Sequence, residues 1–166
     1  MNSKQVVAAV AAIVLIVILV YPAVSSGTVS VSVRATRVEQ ADHVYVTIDG
    51  IWAHPTGQGS SAWSSVSNKT ETIDLVSMQN ATKLLGSGKI SSGQYDSVRI
   101  EVTNVTWVFN KTTKVLGITS PELEAPVDFT VGTGNSASIT ITITGQKQFI
   151  ANSDYFAGTL TASLAT

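Results

Sequence analysis

The sequence predicts an all-β fold, an antiparallel β-sandwich of the Ig-like or transthyretin-like kind, preceded by one N-terminal transmembrane helix. Three observations point there. Ser and Thr supply 20 residues each while charged residues make up only 13%, a balance that suits strands with hydroxyl-lined outer faces. Short segments alternate apolar and polar residues with period two, most cleanly Ile139, Ile141 and Ile143 against Thr140, Thr142 and Thr144. Ahead of them, Val6 to Val24 runs without a charge.

That run is long enough, at 1.5 Å per helical residue, to span about 28 Å, close to the bilayer core. Lys4 precedes it, so the positive-inside rule leaves the amino terminus cytoplasmic and exports the rest. Tyr21 stands at the distal interface and Pro22 ends the helix. Residues 1–24 therefore read as a retained anchor. A cleaved secretory signal, with Ala23-Val24-Ser25 as the cleavage site, and pilin-type processing are the alternatives. All three export the remainder, held outside a single-pass cell membrane by the retained anchor or secreted if the signal is cleaved. Residues 25–28 read as a polar linker and 29–166 as one domain, about 140 residues and large enough for its own core.

Within that domain Val29, Val31 and Val33 open the alternation. His43 to Ala53 is a second strand, interrupted at Asp49-Gly50 by a bulge or turn. His54 to Ser61, with Pro55, Gly57 and Gly59, is a loop. Ala62–Val66 and Glu71–Leu75 read as short strands around a turn at Ser67-Asn68-Lys69. Val76 to Leu85 allows one or two helical turns, closed by Gly86-Ser87-Gly88, and Ser91-Ser92-Gly93 is a further turn. Gln94 to Phe109 is the longest strand. Val98, Ile100 and Val102 hold one parity and Val105, Trp107 and Phe109 the other, so an extra residue is required near Thr103-Asn104. Asn110 to Thr113 is a turn leading to Lys114–Ile118. Pro121 and Pro126 bracket an acidic connection with Glu122 and Glu124. Val127, Phe129 and Val131 form another strand, Gly132 to Asn135 a loop, and Tyr155 to Leu164 the last strand.

The composition excludes several functions. There is no cysteine, hence no disulfide, thiolate site or lipoprotein anchor. Beyond the first two dozen residues nine basic groups face eleven acidic ones, without the basic cluster that nucleic acid requires. His43 and His54, with Asp42 and Asp49 as the nearest carboxylates, lack a compact metal-ligand spacing. Gly57-Gln58-Gly59-Ser60-Ser61 is neither a nucleophile elbow nor a phosphate loop. Glu122 and Glu124 are a carboxylate pair of the kind glycosidic chemistry uses, but between the two prolines they read as part of a solvated surface loop. No catalytic residue, metal or cofactor is expected. Four sequons, at Asn68, Asn80, Asn104 and Asn110, agree with export as N-glycosylation acceptors. Trp52, Trp63 and Trp107 are either core residues or a platform for sugar stacking.

The order of the motifs resembles a known family. His43-Val44-Tyr45-Val46-Thr47-Ile48-Asp49-Gly50-Ile51 is followed by Trp63, by Ile73-Asp74-Leu75, and by Gly93-Gln94-Tyr95-Asp96-Ser97-Val98-Arg99. This succession is similar to exported bacterial and archaeal proteins carrying domain of unknown function 4382. The resemblance covers roughly Val29 to Val108 and implies an all-β, surface-associated domain, often a lipoprotein; here a hydrophobic anchor replaces the lipidated Cys. It assigns no catalytic residue. Arg99, opposite in parity to Val98 and Ile100, reads as an outward-facing structural arginine. The expected function is a non-enzymatic cell-surface module, held by the membrane and binding a surface protein, glycan or envelope component. The alternative is a self-assembling subunit of an extracellular filament, pilin-like or built by strand exchange.

Overall fold

The computed structural model describes residues 25–36, 38 and 40–165. The expected membrane helix over 1–24 lies outside the described residues, and among those described no helix is long and apolar enough to cross a membrane. Among the described residues ten strands follow one another: β1 (Ser26–Ala35), β2 (His43–Pro55), β3 (Ser64–Asp74), β4 (Lys83–Ser91), β5 (Gly93–Phe109), β6 (Thr112–Val115), β7 (Gly117–Ile118), β8 (Glu122–Val131), β9 (Ser136–Ile150) and β10 (Ser153–Leu164). The fold is all-β, in two sheets. The first has the order β4-β1-β9-β10-β7; the second runs β3-β2-β5, with β6 and β8 both pairing with β5.

The inward faces of the two sheets meet in one core. Val29, Val31 and Val33 of β1 and Ile139, Ile141 and Ile143 of β9 join Val44, Val46 and Ile48 of β2 and Val98, Ile100 and Val102 of β5. Alternation puts the hydroxyl-bearing residues between them on the outer faces.

Several expectations are corrected. The pairing is mixed rather than antiparallel, because β1 lies parallel to β9 and β7 parallel to β10. The parallel β1–β9 pair needs a long crossover, which the whole second sheet supplies. β1 begins at Ser26, so three of the four residues read as a linker are strand; Ser26 to Thr28 pair with Lys89 to Ser91. β3 is continuous: the turn signal at Ser67-Asn68-Lys69 becomes an irregularity within the strand, where Asp49 pairs with Thr70 but Ile51 with Ser67. There Ser65 Oγ donates to Asn68 Oδ1 at 2.6 Å.

The expected helical turns shrink to one 3₁₀ turn, Ser77–Gln79, and Gly86-Ser87-Gly88 belongs to β4 rather than ending a helix. Those glycines serve a close approach, since a Cβ on Gly88 would sit 1.9 Å from the Val66 carbonyl oxygen. Glu122 and Glu124 lie in β8, not in a loop. Pro126 is accommodated because β8 shifts register beside it, across from the stretch Tyr95 to Ser97.

Other expectations hold. Thr47 pairs with Asn104 and Ile48 with Val102, so Thr103 is the extra residue that resets the parity of β5. Gly50, at φ 102°, marks the interruption of β2. The turn expected over Asn110 to Thr113 tightens to Asn110-Lys111, with Thr112 and Thr113 in β6 and Phe109 paired with Thr112, and a second hairpin, not foreseen, pairs Ile150 with Ser153 across Ala151-Asn152. Both two-residue loops have positive φ at each position, as a type I′ hairpin requires.

Asp74 ties β2, β3 and the 3₁₀ turn together. Its carboxylate accepts from the amides of Val44 and Val76, each at 3.1 Å, from Ser77 Oγ at 2.7 Å, and meets His43 Nδ1 at 2.8 Å. Burial pushes its pKa up, but these hydrogen bonds outweigh burial and hold the group below its ordinary value. The stabilisation is therefore present above the unfolded value of about 3.9 and is lost as pH falls through the folded one.

Candidate functional site

After the interruption at Gly50, Ile51 and Ala53 point into the core, so Trp52 and His54 emerge on the outer face of the second sheet. Trp52 pairs directly with Arg99 of β5, and Arg99 pairs on its other side with Glu124 of β8. The loop 56–63 folds back over this face and delivers Trp63. The Arg99 guanidinium carbon lies 4.4 Å from the Trp63 ring centroid and 5.4 Å from that of Trp52. Its Nη1 donates to Glu122 Oε2 at 3.1 Å, while its Nε is buried without a hydrogen-bond partner among the described residues. A guanidinium between two indoles is worth about 0.5–2 kcal/mol per contact, rising as water is excluded.

The loop is held by carbonyls pointing inward. Trp63 Nε1 donates to Ser60 O at 3.0 Å. His54, whose side chain is 12% exposed, places Nδ1 2.9 Å from Asp96 Oδ1 and Nε2 3.1 Å from Gly59 O. Both partners can only accept, and a neutral imidazole carries one N–H, so both bonds form only with the imidazolium. The Gly59 carbonyl first, then Asp96, raise the His54 pKa above its ordinary value; desolvation opposes, and the charges of Asp96 and Glu124 add to the rise. Because the folded value is raised, this stabilisation is complete below the unfolded value of about 6.5 and disappears as pH climbs through the folded one. Loop 56–63 is thus expected to resist limited proteolysis better at acidic than at alkaline pH, and His54→Gln to remove that difference. Equal protection of the wild-type loop on both sides of the transition would contradict this.

Beside the loop runs a shallow groove of about 420 Å³, bounded by Pro55, Gln58, Trp63, Ser92, Gln94 and Tyr95 among others. It lies where the chain enters the domain: Ser92 donates its amide to Ser25 O at 2.8 Å. A larger hollow, about 700 Å³, opens at the opposite end of the second sheet between Trp107, Phe109 and the stretch Thr144–Lys147. Two of its polar groups are engaged within the protein, with Trp107 Nε1 donating to Gln40 O and Lys147 paired with Asp154. We place the candidate site at the first location, where charged and aromatic groups converge on an outer face.

The sequence candidates separate accordingly. Trp52 and Trp63 come together, whereas Trp107, 5% exposed, is a core residue. His43 and His54 sit near opposite ends of β2, each paired with its own aspartate, Asp74 and Asp96. Neither Asp42 nor Asp49 joins them: Asp42 accepts from the Asn110 amide and Asp49 from Thr70 Oγ1. Among the described residues no three His, Asp or Glu side chains gather as a metal set. Asn68, Asn80, Asn104 and Asn110 are all exposed.

Asp96 escapes sequence reasoning because it is the extra residue where His54 pairs with Ser97 but Pro55 with Tyr95. The same shift turns Tyr95, which by strict alternation would share the face of Arg99, into the core, where it stacks on Phe129 at 5.1 Å. The alternation of Trp52 and His54 was the one available signal for the site, once the break at Gly50 is carried through.

Neither the curated proteins nor the solved structures hold a match to the chain. A family model does match, over residues 26–157, which is most of the chain and spans β1 into β10. The chain belongs to the family described as domain of unknown function DUF4382.

Proposed function

We propose that the protein is a non-catalytic module of the cell surface, tethered through residues 1–24, whose two sheets form a β-sandwich and whose outer face at Trp52, Trp63 and Arg99 recognises a surface protein, glycan or envelope component. The observation that carries this reading is the placement of two tryptophans, an arginine and a histidine on an outer face rather than in the core. Tryptophan and arginine are the residue types enriched where binding energy concentrates at interfaces. The engagement of these groups with one another supports a binding role: the protonated His54 gives its two N–H groups to Asp96 and Gly59 O, and Glu122 is tied to Arg99.

The uncharged run before the domain supports the tether, and four exposed sequons accord with an exterior location as glycoprotein sites. Protease added to intact cells is expected to digest the region 25–166. Full protection in intact cells, followed by digestion after lysis, would contradict the topology.

A further inference from the structure

We infer that the groove between loop 56–63 and the turn at Ser92 binds an uncharged oligosaccharide; this rests on the surface-module reading and names its ligand class. Among the described residues the lining carries no ionisable acid or base apart from the tyrosine phenol. Gln58 and Gln94 offer amides, each both donor and acceptor, and Ser61, Ser64 and Ser91 offer hydroxyls. Four of these five, all but Ser64, are exposed and so accessible to a ligand. Among the described residues no lysine or arginine lines the groove to hold a phosphate, sulfate or uronate, and no carboxylate lines it to hold a cation. Mixed amides and hydroxyls beside an aromatic ring are what a neutral sugar requires. Its hydroxyls need partners of both polarities, and its C–H face needs an apolar plane.

Trp63 supplies that plane in a fixed position. Its indole nitrogen is bonded to Ser60 O, Arg99 packs against the ring, and His54 lies 5.1 Å away, tilted by 60°. Tyr95, which also lines the groove though its ring is buried against Phe129, is fixed by its hydroxyl donating to Ser91 O at 2.8 Å. Walls already ordered lose little freedom when a ligand arrives. The volume, about 420 Å³, falls toward the small end of ligand sites and accommodates about one or two sugar rings. The groove also borders Ser25, where the chain would leave for the membrane, so it would face saccharides lying close to the envelope.

The test uses the full chain in a detergent without a sugar headgroup. Cellotetraose, chitotetraose, maltotetraose and mannotetraose serve as neutral probes and tetragalacturonate as the charged one, with binding followed by titration calorimetry. Saturable binding of at least one neutral probe is expected. Trp63→Ala should weaken it at least about tenfold. Gln94→Ala should weaken it measurably, and Lys89→Ala, on β4 and outside the groove, should leave it unchanged. Trp63→Phe, which keeps an aromatic plane, should bind better than Trp63→Ala and guards against a folding defect. The inference is overturned if no neutral probe saturates up to about 10 mM, if only tetragalacturonate binds, or if the Trp63 and Gln94 variants bind as the wild type does. Should the neutral probes fail while the chain still binds envelope through Trp63, the ligand class alone falls and the recognition face stands.

Discussion

Ile141→Ala is expected to lower stability by about 2–5 kcal/mol, through lost transfer energy plus the cavity left behind. Ile141 is 0% exposed and lies at the centre of the β9 row that faces the second sheet. Its neighbour Thr142 points outward and is only partly covered, so Thr142→Ala should change stability by less than about 0.5 kcal/mol. The two positions share the same strand pairings, Ile141 with Val33 and Ala162, Thr142 with Arg34 and Thr161. The contrast therefore isolates the face rather than the strand. Denaturant midpoints measured side by side decide it. Equal losses would mean that β9 is buried on both faces. A larger loss at Thr142 would invert its register, because a slip of one residue exchanges the faces.

Gly88→Ala is expected to cost about 3 kcal/mol, the upper range for forcing volume into a packed site. The added methyl would meet the Val66 carbonyl, a backbone group that cannot rotate away. β4 of the first sheet approaches β3 of the second there, so the strain falls on the contact between sheets. Gly93→Ala is the control: a Cβ there meets nothing within 4 Å, and the change should stay within about 0.5 kcal/mol. Indistinguishable midpoints for the two alanine variants would show that β3 and β4 do not approach as described.

Strand positions were legible in the sequence wherever one face is buried and the other wet. The rows Val29/Val31/Val33 and Ile139/Ile141/Ile143 announce themselves because burial imposes strict alternation. The extra residue at Thr103 was legible too, since an inverted parity within one strand has no other remedy. Glycine and proline misled. Gly86 and Gly88 look like turn residues, yet they are glycine because another strand passes too close for a side chain. Pro121 and Pro126 look like loop brackets, yet strand β8 absorbs Pro126 at a register shift. Both are tertiary reasons, invisible to local pattern.

The candidate site was half legible. Its tryptophans were visible as residues, but nothing local says that Trp63 folds back onto Arg99 across 36 positions of sequence. Asp96 could not be assigned to His54, because the irregularity that aims it depends on pairing with both β2 and β8. Parallel pairing of β1 with β9 was likewise beyond local signals, since their partners lie more than a hundred residues apart.

The most direct test of the recognition face compares wild-type and Trp63→Ala full-length protein in two measurements on the same preparations: the denaturant midpoint and binding to envelope from cells lacking the protein. Trp63 is partly exposed and meets Arg99, His54 and Ser60 O, so removing it should cost about 1–2 kcal/mol of stability. Envelope binding should weaken at least about tenfold. Unchanged envelope binding in a folded Trp63→Ala protein would contradict the account and leave the cluster as a clasp for loop 56–63.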